Sequence, residues 1–204
     1  MTSPEFFSRA AYRAKVKSPF ELVVSALRAV GAAPDSTPRT AQLVARLGQP
    51  LFGHQAPNGY PEVGEPWINT GAILNRINFG LALAAGRIPG ASLASWPQGA
   101  ALAGAPRAAQ VDGVIAALLG GEASPDTRRI LERGANPLLE RAGSADTVSL
   151  TTDGTEAEMM AGEAGGPPPR GPRARRDPLA RPAGLTGLAQ VVGLALGAPE
   201  FQRR

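Results

Sequence analysis

Apolar residues recur at spacings of three and four along this 204-residue chain, between frequent prolines and glycines. That spacing predicts one short helix after another. Ser3-Pro4 fits an N-cap followed by proline at the first helical position, with Phe6, Ala10 and Ala14 on one face. Ser18-Pro19-Phe20-Glu21 is a stronger start, because the Ser18 hydroxyl can accept from the Glu21 N–H while the Glu21 carboxylate reaches back to the Ser18 N–H. Phe20, Val23 or Val24, Leu27 and Val30 follow at helical spacing, and Gly31 supplies the stop. Thr37-Pro38 opens a third helix that carries Val44 and Leu47 and ends at Gly48. Residues 49–65 read as a loop, broken by Pro57-Asn58-Gly59. Residues 67–85 form the most apolar helix, with Ile73, Leu74, Ile77, Leu81 and Ala84 along one side, and Asn69-Thr70-Gly71 can split off its first turn. Further helices are expected at 106–119, at 125–133 after Ser124-Pro125, and at 185–196. The one β-like run is 147–152. The expected class is all-α: an array of short helices with a long ordered loop and a flexible low-complexity insertion.

Composition thins the expected core. Hydrophobic residues are 43% of the chain, but 37 residues are alanine, which buries little area. Glycine and proline add 25 and 20 residues, which favours many short elements. Residues 152–182 hold Asp153, Glu156, Glu158 and Glu163, then GGPPP, then five arginines between Arg170 and Arg181, with almost nothing apolar. That segment reads as a solvated linker. The expected organisation is a helical domain over 1–145, a linker over 146–183, and a helix over 184–204 that packs back on the domain.

With no cysteine, disulfides, thiolate metal sites and a cysteine nucleophile are excluded. The chain has no uninterrupted apolar run of about 18 residues, the length a membrane helix needs. The basic pI of 10.3 raises the question of nucleic acid. The basic residues are dispersed, however, and aromatic side chains for base stacking are few, so an ordinary solvated surface is the better reading. No phosphate loop, dinucleotide fingerprint, zinc-finger spacing or paired-carboxylate motif is present. No cofactor, metal or catalytic residue is therefore assigned.

The 49–65 loop is the most suggestive stretch. Gln49, Gln55, Asn58 and Tyr60 offer donors and acceptors, Phe52 and Tyr60 offer flat faces, and Trp67 follows. Such a mixture suits a sugar-like or peptide ligand. The preferred reading is a loop pinned to its helices by Leu51, Phe52 and Tyr60, which would make Phe52 a buried anchor. Gln55, Asn58 and Tyr60 are expected to face a shallow groove. His54 is the only histidine, and with Glu62 and Glu65 it makes a weak ligand set, so a plain loop histidine is preferred. Asn75 and Asn78 are three apart on the apolar helix beside Arg76, placed to bond a neighbouring backbone or a ligand. The candidate ligand contacts are thus Gln55, Asn58, Tyr60, Trp67 and Asn75.

The chain opens on SPEF and closes on APEF. An apolar helix precedes the second phrase, which predicts that one also preceded the first and that Met1 lies inside a longer coding region. Residues 3–32 (SPEFFSRAAYRAKVKSPFELVVSALRAVGA), 47–90 (LGQPLFGHQAPNGYPEVGEPWINTGAILNRINFGLALAAGRIPG) and 194–204 (LALGAPEFQRR) resemble the C-terminal part of a bacterial family known only as domain of unknown function 1800. The resemblance is strong at both ends and poor between. It implies longer, commonly exported relatives, often encoded beside a sulfatase-like protein, and it supplies no catalytic residues. The functional expectation is a helical interaction module working with a partner protein. The alternative is part of a cell-envelope enzyme or carbohydrate-binding protein whose chemistry lies outside this chain.

Overall fold

The computed structural model describes residues 3–9, 11–135, 179 and 184–204. Among them, eight α-helices form the architecture: α1 (Pro19–Ala29), α2 (Arg39–Arg46), α3 (Thr70–Ala84), α4 (Pro97–Leu102), α5 (Arg107–Leu118), α6 (Pro125–Arg133), α7 (Gly187–Leu196) and α8 (Pro199–Gln202). Pro4–Phe7 and Glu65–Trp67 are single 3-10 turns. The described residues contain no β-sheet, only a bridge between Val16 and Arg203. The β-like run at 147–152 and the linker at 152–182 lie outside the described residues, Leu179 apart.

The start signals do what their chemistry requires. At α1 both halves of the capping box form: the Glu21 N–H donates to the Ser18 hydroxyl, and the Ser18 N–H donates to the Glu21 carboxylate at 2.8 Å. Gly31 then takes φ 63°, a left-handed stop. Ser124 caps α6 by accepting from the Thr127 N–H, and Asn69 caps α3 by accepting from the Ala72 N–H at 2.8 Å. The expected 67–85 helix therefore begins at Thr70. Trp67 belongs to the turn before it, because the Asn69 side chain competes for the first backbone donors.

Two expectations are corrected. The helix after Ser3-Pro4 is only a four-residue 3-10 turn, and residues 11–17 hold turns and a bridge but no helix. In α1 the buried stripe is Leu22, Val23 and Ala26, while Phe20 is exposed. A capping box holds residue N2 over the helix entrance, where the core does not reach. The sequence reading also missed α4, which follows the fully buried Trp96 and begins on proline.

Helix α3 crosses α7 at the centre, with α5 and α6 against the other sides of α7, α4 on α5, and α2 on α1. Ile77, Phe79, Leu83, Val111, Val114, Leu131, Val191, Val192 and Leu196 are almost fully buried in one continuous core. Short side chains make this crossing possible. A Cβ on Gly80 would lie 2.8 Å from the Gly193 carbonyl oxygen, and one on Gly193 would lie 2.9 Å from Leu81 Cδ2. The alanine- and glycine-rich composition thus gains packing by close backbone approach rather than by large side chains.

The N-terminal strap and the C-terminus close the fold together. Backbone bonds join Lys15 to Arg204 and Lys17 to Gln202, at 2.8–3.1 Å. Arg13 donates through its guanidinium to the Leu119 and Glu122 carbonyls, satisfying acceptors at the end of α5. Arg107 does the same for α6, donating to the Leu131 carbonyl through Nε at 3.0 Å and to Gln190 of α7 at 2.8 Å.

Candidate functional site

The loop of residues 49–68 is built as a closed ring on a buried foot. Gln49 accepts from the Phe20 N–H at 2.8 Å, which ties the loop's entry to the start of α1. The Tyr60 hydroxyl donates to the Pro50 carbonyl at 2.6 Å, joining the two sides. Trp67 is buried and donates from Nε1 to the Pro61 carbonyl at 3.3 Å. The rings of Trp67 and Tyr60 are 6.0 Å apart and those of Tyr60 and His54 are 4.6 Å apart, so the three form a ladder leading outward from the core. The Lys15 ammonium and the Glu62 carboxylate pair across the base. That pairing holds Glu62 below its ordinary carboxylate range.

Of the expected contact residues, only Tyr60 and Trp67 come together. They line a recess of about 60 Å³ with Lys15, Val16, Ser18, Glu21, Gln49, Pro61 and Glu62. Gln55 and Asn58 are exposed and do not line that recess. Asn75 is half-buried on α3 and lines no cavity described here. Among the described residues no three of His, Cys, Asp or Glu gather as metal ligands, so His54, Glu62 and Glu65 do not form a set.

Phe52 departs most from its expected role. It is fully exposed, not a buried anchor, and its backbone sits at φ 60°. A bulky residue in the left-handed region is strained. Leu51, Val63, Ile68 and Phe20 are also exposed, so the loop and the α1 entrance carry an apolar surface. The loop keeps its fold through Tyr60 and Trp67, and presents Phe52 outward.

Beyond Val16 and Ile68 lies the larger opening, a cavity of about 470 Å³ between α3, α6 and the C-terminal turn. Ile68, Ile73, Ile77, Ile130, Leu131 and Leu194 give it apolar walls. Arg76 of α3 also lines it, although the residue is only 3% exposed. The positions of Ile73, Arg76 and Ile77 at i, i+3 and i+4 put the guanidinium on the same helical face as the two isoleucines. Arg76 donates from Nη1 to the Gln202 side-chain oxygen at 2.8 Å and from Nη2 to the Lys17 carbonyl at 2.7 Å. Its Nε has no partner. Burial lowers its pKa to about 10, still well above neutrality, so it stays charged. Across the cavity, Thr127 donates to Glu200 at 2.9 Å, and the Ser124 N–H donates to the same carboxylate at 2.8 Å.

Asn75 and Asn78 flanked Arg76 among the candidates, yet Arg76 is the residue the fold builds into a cavity. The signal was its place between two isoleucines on an otherwise apolar stripe. Asn78 carries a buried side-chain oxygen without a partner.

The chain also admits comparison with known proteins. No curated protein matches it, and no solved structure does. A model of one family, described as a protein of unknown function (DUF1800), matches residues 1–203. The match runs through the middle of the chain, where the resemblance read from the sequence was poor. Among the described residues no helix is long and apolar enough to cross a membrane. With nearly every residue matched, this chain belongs to the DUF1800 family.

Proposed function

We propose that the chain is an interaction module that presents its 49–68 loop to a partner protein. One observation carries the reading: Phe52 is held at φ 60° with its ring fully exposed. A strained, exposed aromatic has no stabilising purpose within the chain, and strain of this kind gathers at functional positions. Aromatic residues also dominate interface energetics when a partner buries them. Leu51 and Phe20 extend the apolar surface on one side, while the Tyr60–Trp67 foot keeps the loop rigid enough to bind at low entropic cost.

The resemblance drawn from the sequence sets this module in an exported bacterial protein, with a sulfatase-like protein encoded nearby as the first partner to try. The test places a photo-crosslinking phenylalanine analogue at position 52 in the host bacterium and identifies what it captures. A single captured protein, lost when the analogue is moved to exposed position 98, supports the reading. Capture of nothing at position 52, or of the same products from both positions, overturns it.

A further inference from the structure

The cavity beside the loop calls for a ligand of its own, whatever the loop binds. Its volume of about 470 Å³ falls within the range of roughly 300–1,000 Å³ usual for small-molecule sites. It is also well above the roughly 150 Å³ of an apolar void that takes up benzene. Its walls are mainly aliphatic, which suits an apolar body. Its one buried charge is Arg76, and no carboxylate among the described residues pairs with it.

That charge is left uncompensated. Arg76 meets two neutral oxygens, and its Nε–H meets none. A buried cation without a counter-ion is costly, and an anion seated in the cavity relieves that cost. Glu200 does not serve: it forms no ion pair with Arg76, and its carboxylate accepts from the Ser124 N–H and the Thr127 hydroxyl. Arg203, exposed on the cavity rim, adds attraction for an incoming anion.

The anion's class follows from the donor count. A phosphate needs several donors around three oxygens, whereas this cavity offers one buried arginine, with Arg203 exposed at the rim and the Thr127 hydroxyl already committed to Glu200. A carboxylate carries one charge on two oxygens and matches a single guanidinium. We propose that the cavity binds a small aliphatic monocarboxylic acid, its chain among Ile73, Ile77, Ile130, Leu131 and Leu194 and its carboxylate on Arg76.

Decanoate below its micellar concentration is the probe, with 1-decanol as the uncharged control, titrated into the 204-residue chain by calorimetry. Decanoate labelled with ¹³C at its carboxyl carbon reports the acid's own pKa in the complex. The expected result is one saturable site, about tenfold or more tighter for decanoate than for decanol, a factor worth about 1.4 kcal/mol. The bound acid's pKa should fall below its free value, since a neighbouring cation favours the carboxylate. Ile130→Trp, which fills the cavity, should abolish binding of both compounds. Arg76→Gln should bring decanoate to the level of decanol and leave decanol unchanged. Non-saturable or absent binding to the parent chain overturns the proposal. So does undiminished binding to Ile130→Trp, or a decanoate preference that survives Arg76→Gln. Should Arg76→Gln fail to fold, a bound-acid pKa that is unchanged or raised in the parent chain overturns it independently.

Discussion

Gly80 of α3 and Gly193 of α7 face each other where the two central helices cross, and neither has room for a side chain. A Cβ on Gly80 would lie 2.8 Å from the Gly193 carbonyl oxygen and 3.0 Å from Leu196 Cβ. Helix propensity alone favours Gly→Ala by about 1 kcal/mol. Overpacking a tight site costs about 1–3 kcal/mol, and here the obstacle is backbone, which yields less than a side chain. Overpacking wins. Gly80→Ala should destabilise the chain by about 2 kcal/mol in urea unfolding, and Gly80→Leu should prevent folding. Gly104→Ala is the control, since nothing lies within 4 Å of its Cβ position, and it should be neutral.

Phe52→Ala tests the loop. A buried phenylalanine would cost about 3–5 kcal/mol on truncation. This one is exposed, so the expected change is within about 0.5 kcal/mol. Phe52→Gly should be neutral or slightly stabilising: the left-handed backbone costs a non-glycine residue about 1–2 kcal/mol, partly offset by the larger chain entropy of glycine. A loss of 3 kcal/mol in Phe52→Ala, measured by chemical denaturation, would restore the buried-anchor reading.

The boundary between what was legible and what was not runs along a physical line. The capping box at Ser18 and Glu21, the Ser124 cap, the Asn69 break and the Gly31 stop involve residues within four positions of each other, and all of them formed. The exposure of Phe20 and Phe52 depends on which neighbours arrive from elsewhere, and no local pattern records that. Arg76 is the instructive case. Its bonds reach Lys17 and Gln202, far away in the chain at either end, so helical spacing could place it on the apolar face without revealing its partners. The Gly80–Gly193 contact did leave a trace: Gly-Leu-Ala-Leu occurs at 80–83 and again at 193–196, in the two helices that cross.

Glu200 ties the last short helix to α6. Burial, the largest single influence, raises its pKa, but bonds from the Ser124 and Thr127 groups and from its own backbone together outweigh burial and leave it lowered. A carboxylate at the start of α6 also complements that helix's dipole. A lowered native pKa means the unfolded chain takes up the proton first as pH falls. The contribution is therefore complete above the ordinary glutamate pKa of about 4.3 and is lost as pH drops through the native value. Glu200→Gln should flatten the acid limb of stability against pH. An unchanged limb below about pH 4.3, followed by urea midpoints, would remove Glu200 from the account.

Lys17 produces a dependence of the same sign at the alkaline end, from a buried cation instead of a bonded carboxylate. Its pKa is lowered to about 8, first by burial and then by the charges of Arg13 and Arg204, with Glu21 pulling the other way. Its ammonium lies 4.0 Å from the centre of the Phe201 ring, a contact worth about 0.5–1 kcal/mol that partly offsets the burial. Between about 8 and the ordinary 10.5 the unfolded chain holds more protons than the folded one, so stability rises with pH across that window. Below about 8 both states are protonated and the full cost of burying the charge remains. Arg76, lowered to about 10, adds to the rise only near the upper end, so a rise beginning near pH 8 belongs to Lys17. Lys17→Met keeps an apolar side chain of similar length beside Phe201 and the backbone bond to Gln202, and removes the charge. It should stabilise the chain at pH 7 and abolish the rise between pH 8 and 9.5, read as urea midpoints at fixed ionic strength. A Lys17→Met variant that is less stable at pH 7, with the alkaline rise intact, would show that the ammonium contributes more through Phe201 than its burial costs.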